Sequence, residues 1–333
     1  MPDTRRHVLA RRPLLFGAAA LLAAPAVHAQ RARTIRLAHH VTTQSEQHAT
    51  AELFARRVAE LTGNALAVQI LPAAQMGGQR ELIESVSLGT LEMAYGESGL
   101  YANYTPAFGV IALAYLYRDF AHFERTVEGA VGAQLARELE ARAGIRVMNW
   151  MTAGYRNTFL RTKPITTPGD FRGVKIRLPE APVFVRTFAA LGAQPTPIPA
   201  PEMYSALQTG VVDAMEGSAE VGFTFRIHEV TRFLSLTRHI LLDGSFAMNA
   251  GFFGGLPRPQ QEAVQQAATE AGKWQRAQHF EREKTWLDRL AAAGTLQTNA
   301  VDLAPFIQAL GPLQDEFAAS ARGADVLRQI RAA

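Results

Sequence analysis

Between Thr34 and Tyr95 the apolar pattern alternates between the period of a strand and the period of a helix, and that alternation admits few architectures. Thr34–His40 reads as a strand. Ser45–Leu61 carries Ala49, Leu53, Phe54, Val58 and Leu61 at helical spacing, with Gly63 as its stop. Leu66–Leu71 is a second strand. After the turn Pro72–Gly78, Gln79–Leu88 reads as a helix ended by Gly89, and Leu91–Tyr95 as a third strand. Such alternation predicts a mostly parallel sheet with helices on both faces, where loops at strand C-terminal ends collect into a ligand crevice. The loops after His39 and after Tyr95 are expected to wall it.

A second unit of this kind follows. Arg146–Trp150 and Val174–Leu178 read as strands, and Pro182–Leu191 as a helix capped by Gly192. Pro195, Pro197, Pro199 and Pro201 then make a stiff, extended connector into a helix, Glu202–Thr209, that Gly210 ends, with a strand at Val211–Met215 beyond it. Past Pro259 no proline occurs through Ala293, while Val264, Ala267, Ala268, Ala271, Trp274 and Ala277 form one stripe. The expectation is one long helix kinked near Gly272. A chain of 333 residues that is 48% hydrophobic has material for two domains. Ser98–Tyr117 is uncharged, but Asn103, Tyr104, Thr105 and Pro106 interrupt it, leaving Val110–Tyr117 as a buried strand or apolar turn rather than a membrane span.

The net charge of +4 is concentrated at the start of the chain, where Arg5, Arg6, Arg11 and Arg12 against Asp3 supply +3 of it. The remainder offers no basic face for nucleic acid. Paired arginines, an apolar run over Leu14–Ala24 and Val27-His28-Ala29 have the order of a secretory signal peptide. The run is far shorter than the roughly 20 residues needed to cross a bilayer. Thr4–Leu9 resembles a twin-arginine export signal, with an ordinary secretory signal as the alternative. Cleavage after Ala29 would release a periplasmic chain. The absence of cysteine excludes disulfides, thiolate-bound zinc, a cysteine nucleophile and a lipid-modified cysteine. There is no His-Glu-x-x-His motif and no P-loop, and Gly96-Glu97-Ser98-Gly99-Leu100 lacks the final glycine of a serine-nucleophile elbow. No enzymatic activity, cofactor or metal is expected.

Four segments carry a family resemblance: Leu71-Pro72-Ala73-Ala74-Gln75-Met76-Gly77, Phe171 through Pro179, Glu202 through Asp213, and Leu256-Pro257. In order and spacing the chain resembles the TRAP-transporter solute-binding proteins of the DctP type. The resemblance implies an α/β, two-lobed periplasmic-binding-protein fold with crossing hinge strands and a long helix spanning both lobes. Residues 1–29 would be the signal peptide, 30–153 with about 243–282 the first lobe, and about 154–242 with 283–333 the second. A monomer of this kind closes around a small carboxylate and presents it to TRAP membrane permease subunits. A ligand-sensing lobe for a signalling partner and, less favoured, a secreted enzyme are the competing readings.

Arg177 is the first candidate ligand residue. A guanidinium is permanently charged and its planar fork matches a carboxylate. Val174, Ile176 and Leu178 share one strand face, which puts Lys175 and Arg177 on the other; a structural ion pair is the alternative. The resemblance implies that Arg177 clamps the solute carboxylate. Arg156, expected in a strand-end loop after Trp150, is implied as a second carboxylate contact. Sialic-acid-binding members offer the nearest likeness, sharing Gly96-Glu97-Ser98, in which Glu97 would meet solute hydroxyl or amine groups; capping the following helix is its alternative. Departures from those members are Gly217 in place of an asparagine, Ala200 in place of an aromatic, and Gly78 near their acidic residue. They point to an organic acid other than sialic acid, leaving a dicarboxylate, keto acid or sugar acid. Of His39 and His40, one should touch solute and one should pack, with His39 as the contact; adjacent strand residues face opposite ways and do not share a metal. Asn249 is a further polar candidate, with a turn role as its alternative. Phe223, Phe225, Phe246 and Phe252 are expected in the core, with one able to floor the site.

Overall fold

A computed structural model of the chain describes Pro2 and residues 33–333; apart from Pro2, the expected signal peptide lies outside the described residues. β1 (Arg33–Ala38), α1 (Glu46–Leu61), β2 (Leu66–Leu71), α2 (Gln79–Leu88) and β3 (Met93–Gly96) follow one another as the alternation predicts. The local causes are visible. Ser45 caps α1 by accepting from the His48 amide, and Gly89 ends α2 at φ 75°, a conformation costly for any residue with a Cβ. α3 (Ser98–Tyr101), α4 (Phe120–Glu128) and α5 (Ala130–Ala143) come next, then β4 (Ile145–Val147), β5 (Met151–Leu160), β6 (Lys175–Leu178), α6 (Pro182–Ala190) and β7 (Gln194–Pro197). They lead to α7 (Met203–Thr209), β8 (Ala214–Gly217), α8 (Ala219–Thr224), β9 (Phe233–Asn249), α9 (Ala250–Gly254), α10 (Arg258–Ala277) and α11 (His279–Ala292). β10 (Gln297–Ala300), α12 (Ala304–Ser320) and α13 (Ala324–Ala332) complete the order.

The main path of strands runs β2-β1-β3-β9-β5-β8-β6-β7, and two long strands cross its middle. The C-terminal half of β9 pairs antiparallel with β3 and β4, and its N-terminal half with β5. The sequence hides this element. Asp243-Gly244 has turn chemistry at its centre, yet here both residues are buried inside a 17-residue strand. β5 also corrects an expectation: the stretch carrying Gly154, Arg156 and Asn157 is a strand, not a loop, because its polar side chains are turned inward to partners rather than to water. The proline connector becomes in part β7, at the end of the strand path, where a missing N–H costs no ladder bond. Around Val110 the apolar stretch is a buried turn of 3₁₀ helix, Pro106–Ala112.

Ile35, Leu37, Phe54, Val58, Phe246 and Val264 form one apolar cluster, and Phe159, Leu207, Met215, Leu234 and Leu290 another. A third joins Ile83 and Phe108 to Phe184, Phe188, Phe306 and Phe317. α10 packs on α1, and α11 on α8. The break between α10 and α11 falls at Gln278, not near Gly272. Gly272 serves packing instead. A Cβ built on it would lie 2.7 Å from the Trp150 carbonyl oxygen and 3.0 Å from Asn149 Cβ.

Gly272→Ala therefore sets two effects against each other. Alanine is favoured over glycine in a helix interior by about 1 kcal/mol. Overpacking against backbone typically costs about 1–3 kcal/mol. A net loss of stability is expected in urea unfolding; unchanged or raised stability would show that α10 can shift away from Trp150.

Candidate functional site

One cavity, partly open to solvent, lies where the C-terminal ends of several strands meet. Arg177 reaches it from β6. Strand alternation turns Arg177 and Lys175 to one face, but Lys175 is exposed while Arg177 is only 4% accessible. Its Nε donates to the Ile198 carbonyl at 2.7 Å, which fixes the plane of the guanidinium; this is its one side-chain hydrogen bond among the described residues. Burial pulls its pKa down to about 10, so it stays cationic at neutral pH.

Arg156 reaches the same cavity from β5 with a different status. Its Nε and Nη2 hold the Glu216 carboxylate as a two-pronged pair, Nη2 bonding Oε1 at 2.6 Å and the Glu216 carbonyl at 3.1 Å. His239 Nε2 lies 3.2 Å from the same carboxylate, and the Phe184 ring lies 5.2 Å from the Arg156 Cζ. Burial alone would raise the Glu216 carboxyl, yet Arg156 and His239 hold it at about 2. Register irregularities flank Arg156. Ala153 is an extra residue between Thr152 and Gly154, and two steps along β5, from Arg156 to Thr158, correspond to five along β9, from Ile240 to Ser235. Such bulges re-aim side chains, and here they bring Arg156 and His239 together on Glu216.

The facing wall comes from β1, α1, α2 and β3. Glu97 follows β3 and lines the cavity; Tyr95 Oη donates to its Oε1 at 3.1 Å. Although Glu97 occupies the N-cap position of α3, its side chain makes no capping bond, contrary to the capping alternative. Burial raises its carboxyl pKa, against the pull of Arg156. His40, Gln47 and Gln79 complete this wall. His40 is locked from both sides, because the carbonyls of His39 and Val41 accept from Ala74 and Ala73 N–H groups, both alanines being left-handed at φ 57° and 53°.

Three expected contacts sit elsewhere. His39 is the packed ring of the pair, its Nδ1 3.0 Å from the Val41 carbonyl and its Nε2 2.9 Å from His48 Nδ1, while His40 faces the cavity. Asn249 lies at the far end of β9, where it caps α9 through the Phe252 amide and donates to the Val86 carbonyl. Gly217 does not line the cavity; a Cβ there would meet Met215 Cε at 2.8 Å. Phe225 is the phenylalanine that lines it, and Phe246 is core. Gln47 and Gln79 were missed, although each stands in the first turn of a helix that follows a strand of the crevice-forming unit. Glu216 and His239 left no local signal, since their role comes from pairing across strands.

Beside the cavity a second buried polar cluster joins α1 to α8 and α11. The Glu46 amide donates to Glu220 Oε1 at 2.5 Å, and the Glu46 carboxylate accepts from Trp286 Nε1 at 3.2 Å and Gln275 Nε2 at 3.1 Å. Burial, and then mutual repulsion, raise the Glu220 carboxyl; burial also raises that of Glu46.

Residues 37–321 match the family described as DctP, bacterial extracellular solute-binding protein, family 7. The 2,3-diketo-L-gulonate-binding periplasmic protein YiaO of Escherichia coli strain K12 is 31% identical over 311 residues, 93% of this chain and 94% of YiaO. The sialic acid-binding periplasmic protein SiaP of Vibrio cholerae is 27% identical over 297 residues, 89% of this chain and 91% of SiaP. A TRAP periplasmic solute-binding protein from Roseobacter denitrificans, solved with bound β-D-glucuronate, superposes with a TM-score of 0.85 at 30% identity, covering 90% of this chain and 99% of that one.

The Glu46–Glu220 contact makes stability depend on pH with a definite sign. Carboxyl pKa values raised by folding contribute stability that is complete below the ordinary value of 4.5 and is lost as pH rises through the folded value. Glu220→Gln keeps an acceptor for the Glu46 amide without the charge. Its melting temperature should fall less between pH 5 and pH 8 than that of the wild type, by roughly the shift of one carboxyl. Parallel pH profiles for the two proteins would contradict the assignment.

Proposed function

The chain belongs to the DctP family of bacterial extracellular solute-binding proteins, and on that premise we propose that it captures a small organic acid by its carboxylate and hands it to a TRAP membrane permease. It is a two-lobed periplasmic solute-binding protein, of a class that binds solutes without transforming them. The observation that carries the carboxylate reading is Arg177: a buried guanidinium anchored by Nε to a neutral carbonyl, on a cavity wall, with no carboxylate hydrogen-bonded to it among the described residues. Arg156 is the second contact. Its charge is balanced by Glu216, so it would orient the solute more than attract it. Glu97 meets polar groups at the other end. The ligands named for YiaO, SiaP and the Roseobacter protein are all carboxylic acids, in line with this arrangement.

Closure of two lobes over the solute is part of this reading. Residues 30–153 with about 243–282 would form the first lobe, and about 154–242 with 283–333 the second. β5 and β9, which pair along most of their length, would be the crossings, and the packing of α10 on α1 and of α11 on α8 supports this division. Binding energy biases the open and closed populations. Export would remove residues 1–29.

Two measurements test this reading. Arg177→Lys keeps the charge but not the planar fork. Truncating one partner of a buried charge pair typically costs about 2–5 kcal/mol, so Arg177→Ala should fall in that range, with lysine recovering a minority. Calorimetry on folded Arg177→Lys protein should show a loss of at least about tenfold, each decade being about 1.4 kcal/mol. Wild-type affinity would remove Arg177 from the carboxylate role. Mass spectrometry of the exported protein should find a chain beginning after Ala29; one beginning at Met1 would refute cleavage.

A further inference from the structure

The wall opposite Arg177 carries polar atoms whose hydrogen bonds are not made within the protein. Gln47 Oε1, Gln79 Nε2 and His40 Nδ1 are buried without a partner among the described residues, and all three side chains line the cavity. A buried polar atom left in this way costs about 1–3 kcal/mol, and three converging on one cavity mark a surface completed by something bound there. Their chemistry is specific. The Gln47 amide oxygen is an acceptor to which nothing in the described residues donates. Glu97 adds further acceptor oxygens on the same wall, and Gln79 presents a donor. Burial pushes the His40 imidazole down to about 3, so that ring is neutral at physiological pH and presents one donor and one acceptor nitrogen.

Resting on the carboxylate-capture reading, we infer that the solute is a monocarboxylate bearing several hydroxyl groups, a sugar acid, and that Gln47, Gln79 and His40 read its hydroxyls. A hydroxyl both donates and accepts, so it can donate to Gln47 Oε1 or Glu97 while accepting from Gln79. A second carboxylate or a bare keto oxygen only accepts; it satisfies Gln79 but leaves Gln47 Oε1 unpaired and faces the Glu97 carboxyl. The positive charges point the same way. Of the arginines lining the cavity, Arg156 is committed to Glu216, and the half-exposed Arg80 stands 3.6 Å from Glu180 at the rim. That leaves Arg177 as the cation for a solute carboxylate among the described residues of the wall. Sites that pair with a solute hydroxyl reject analogues lacking it far more strongly than apolar pockets reject a missing methylene, because their own polar groups are stranded.

The test is calorimetric titration of the mature protein with D-glucuronate, D-galacturonate, D-gluconate, succinate and pyruvate, repeated on Gln79→Met and Gln47→Met. The two substitutions sit on different helices, so loss of folding in one leaves the other informative. At least one hydroxylated acid should bind about tenfold or more tighter than succinate and pyruvate, and the ratio of its affinity to that of succinate should drop about tenfold in each folded variant. Succinate or pyruvate binding tighter than every hydroxylated acid, or a ratio unmoved by both substitutions, overturns the inference while carboxylate capture stands. No binding of any of the five acids, with folding verified, overturns both.

Discussion

The buried pair of Arg156 and Glu216 sets the electrostatics of the whole site. A guanidinium and a carboxylate taken out of water each carry a desolvation cost of several kcal/mol, recovered only when geometry and further hydrogen bonds are good. Here they are: two prongs from Arg156, a third bond from its Nη2 to the Glu216 carbonyl, and His239 at 3.2 Å. Glu216 is hydrogen-bonded to Arg156, whereas Arg177, on the neighbouring strand β6, has only a carbonyl for its Nε. Arg156 thus has a carboxylate at hydrogen-bond distance, and Arg177 has none among the described residues.

That pair exists only because strands far apart in sequence cross. β5 brings Arg156, β8 brings Glu216, and the irregular stretch of β9 between Ser235 and Ile240 brings His239. β9 also pairs with β3 and β4, so the charge pair is built on the strand that joins the two sides of the strand path. The Glu46–Glu220 contact lies on the other side of this crossing, where the start of α1 meets α8. The cavity and this cluster share Ala153, the bulged residue of β5, and Gln47 of the cavity wall directly follows Glu46 of the cluster in α1. Solute contact and the buried carboxylates are therefore physically adjacent.

The likeness to the sialic acid-binding protein SiaP runs over 89% of this chain at 27% identity. Gly217 does not line the cavity, and a Cβ there would meet the flexible end of the Met215 side chain. Ala200 lines the rim with little bulk. The unpaired buried polar atoms of the cavity belong to Gln47, Gln79 and His40, on the loops and helix starts that follow β1 and β2.

Local physics was enough for the first unit. Periodicity, the Ser45 cap and the Gly89 stop act within a few residues, so the order β1-α1-β2-α2-β3 and the face that Arg177 shares with Lys175 could be read directly; the burial of Arg177 could not. The resemblance also pointed to Arg156 and Glu97, both of which line the cavity, although Arg156 sits within β5 rather than in the expected loop. What the sequence could not determine is whatever depends on a distant partner. β9 looks like a turn at Asp243-Gly244 until strands on both sides bury it. Gly272 looks like a hinge until Trp150 is placed against it. His39 and His40 are equivalent as letters, and only the turn at Ala73-Ala74, which ties down the carbonyls on either side, decides that His40 faces the cavity. Sequence determines what each side chain is able to bond; which bonds remain unmade at the site is decided by the packing that supplies or withholds every other partner.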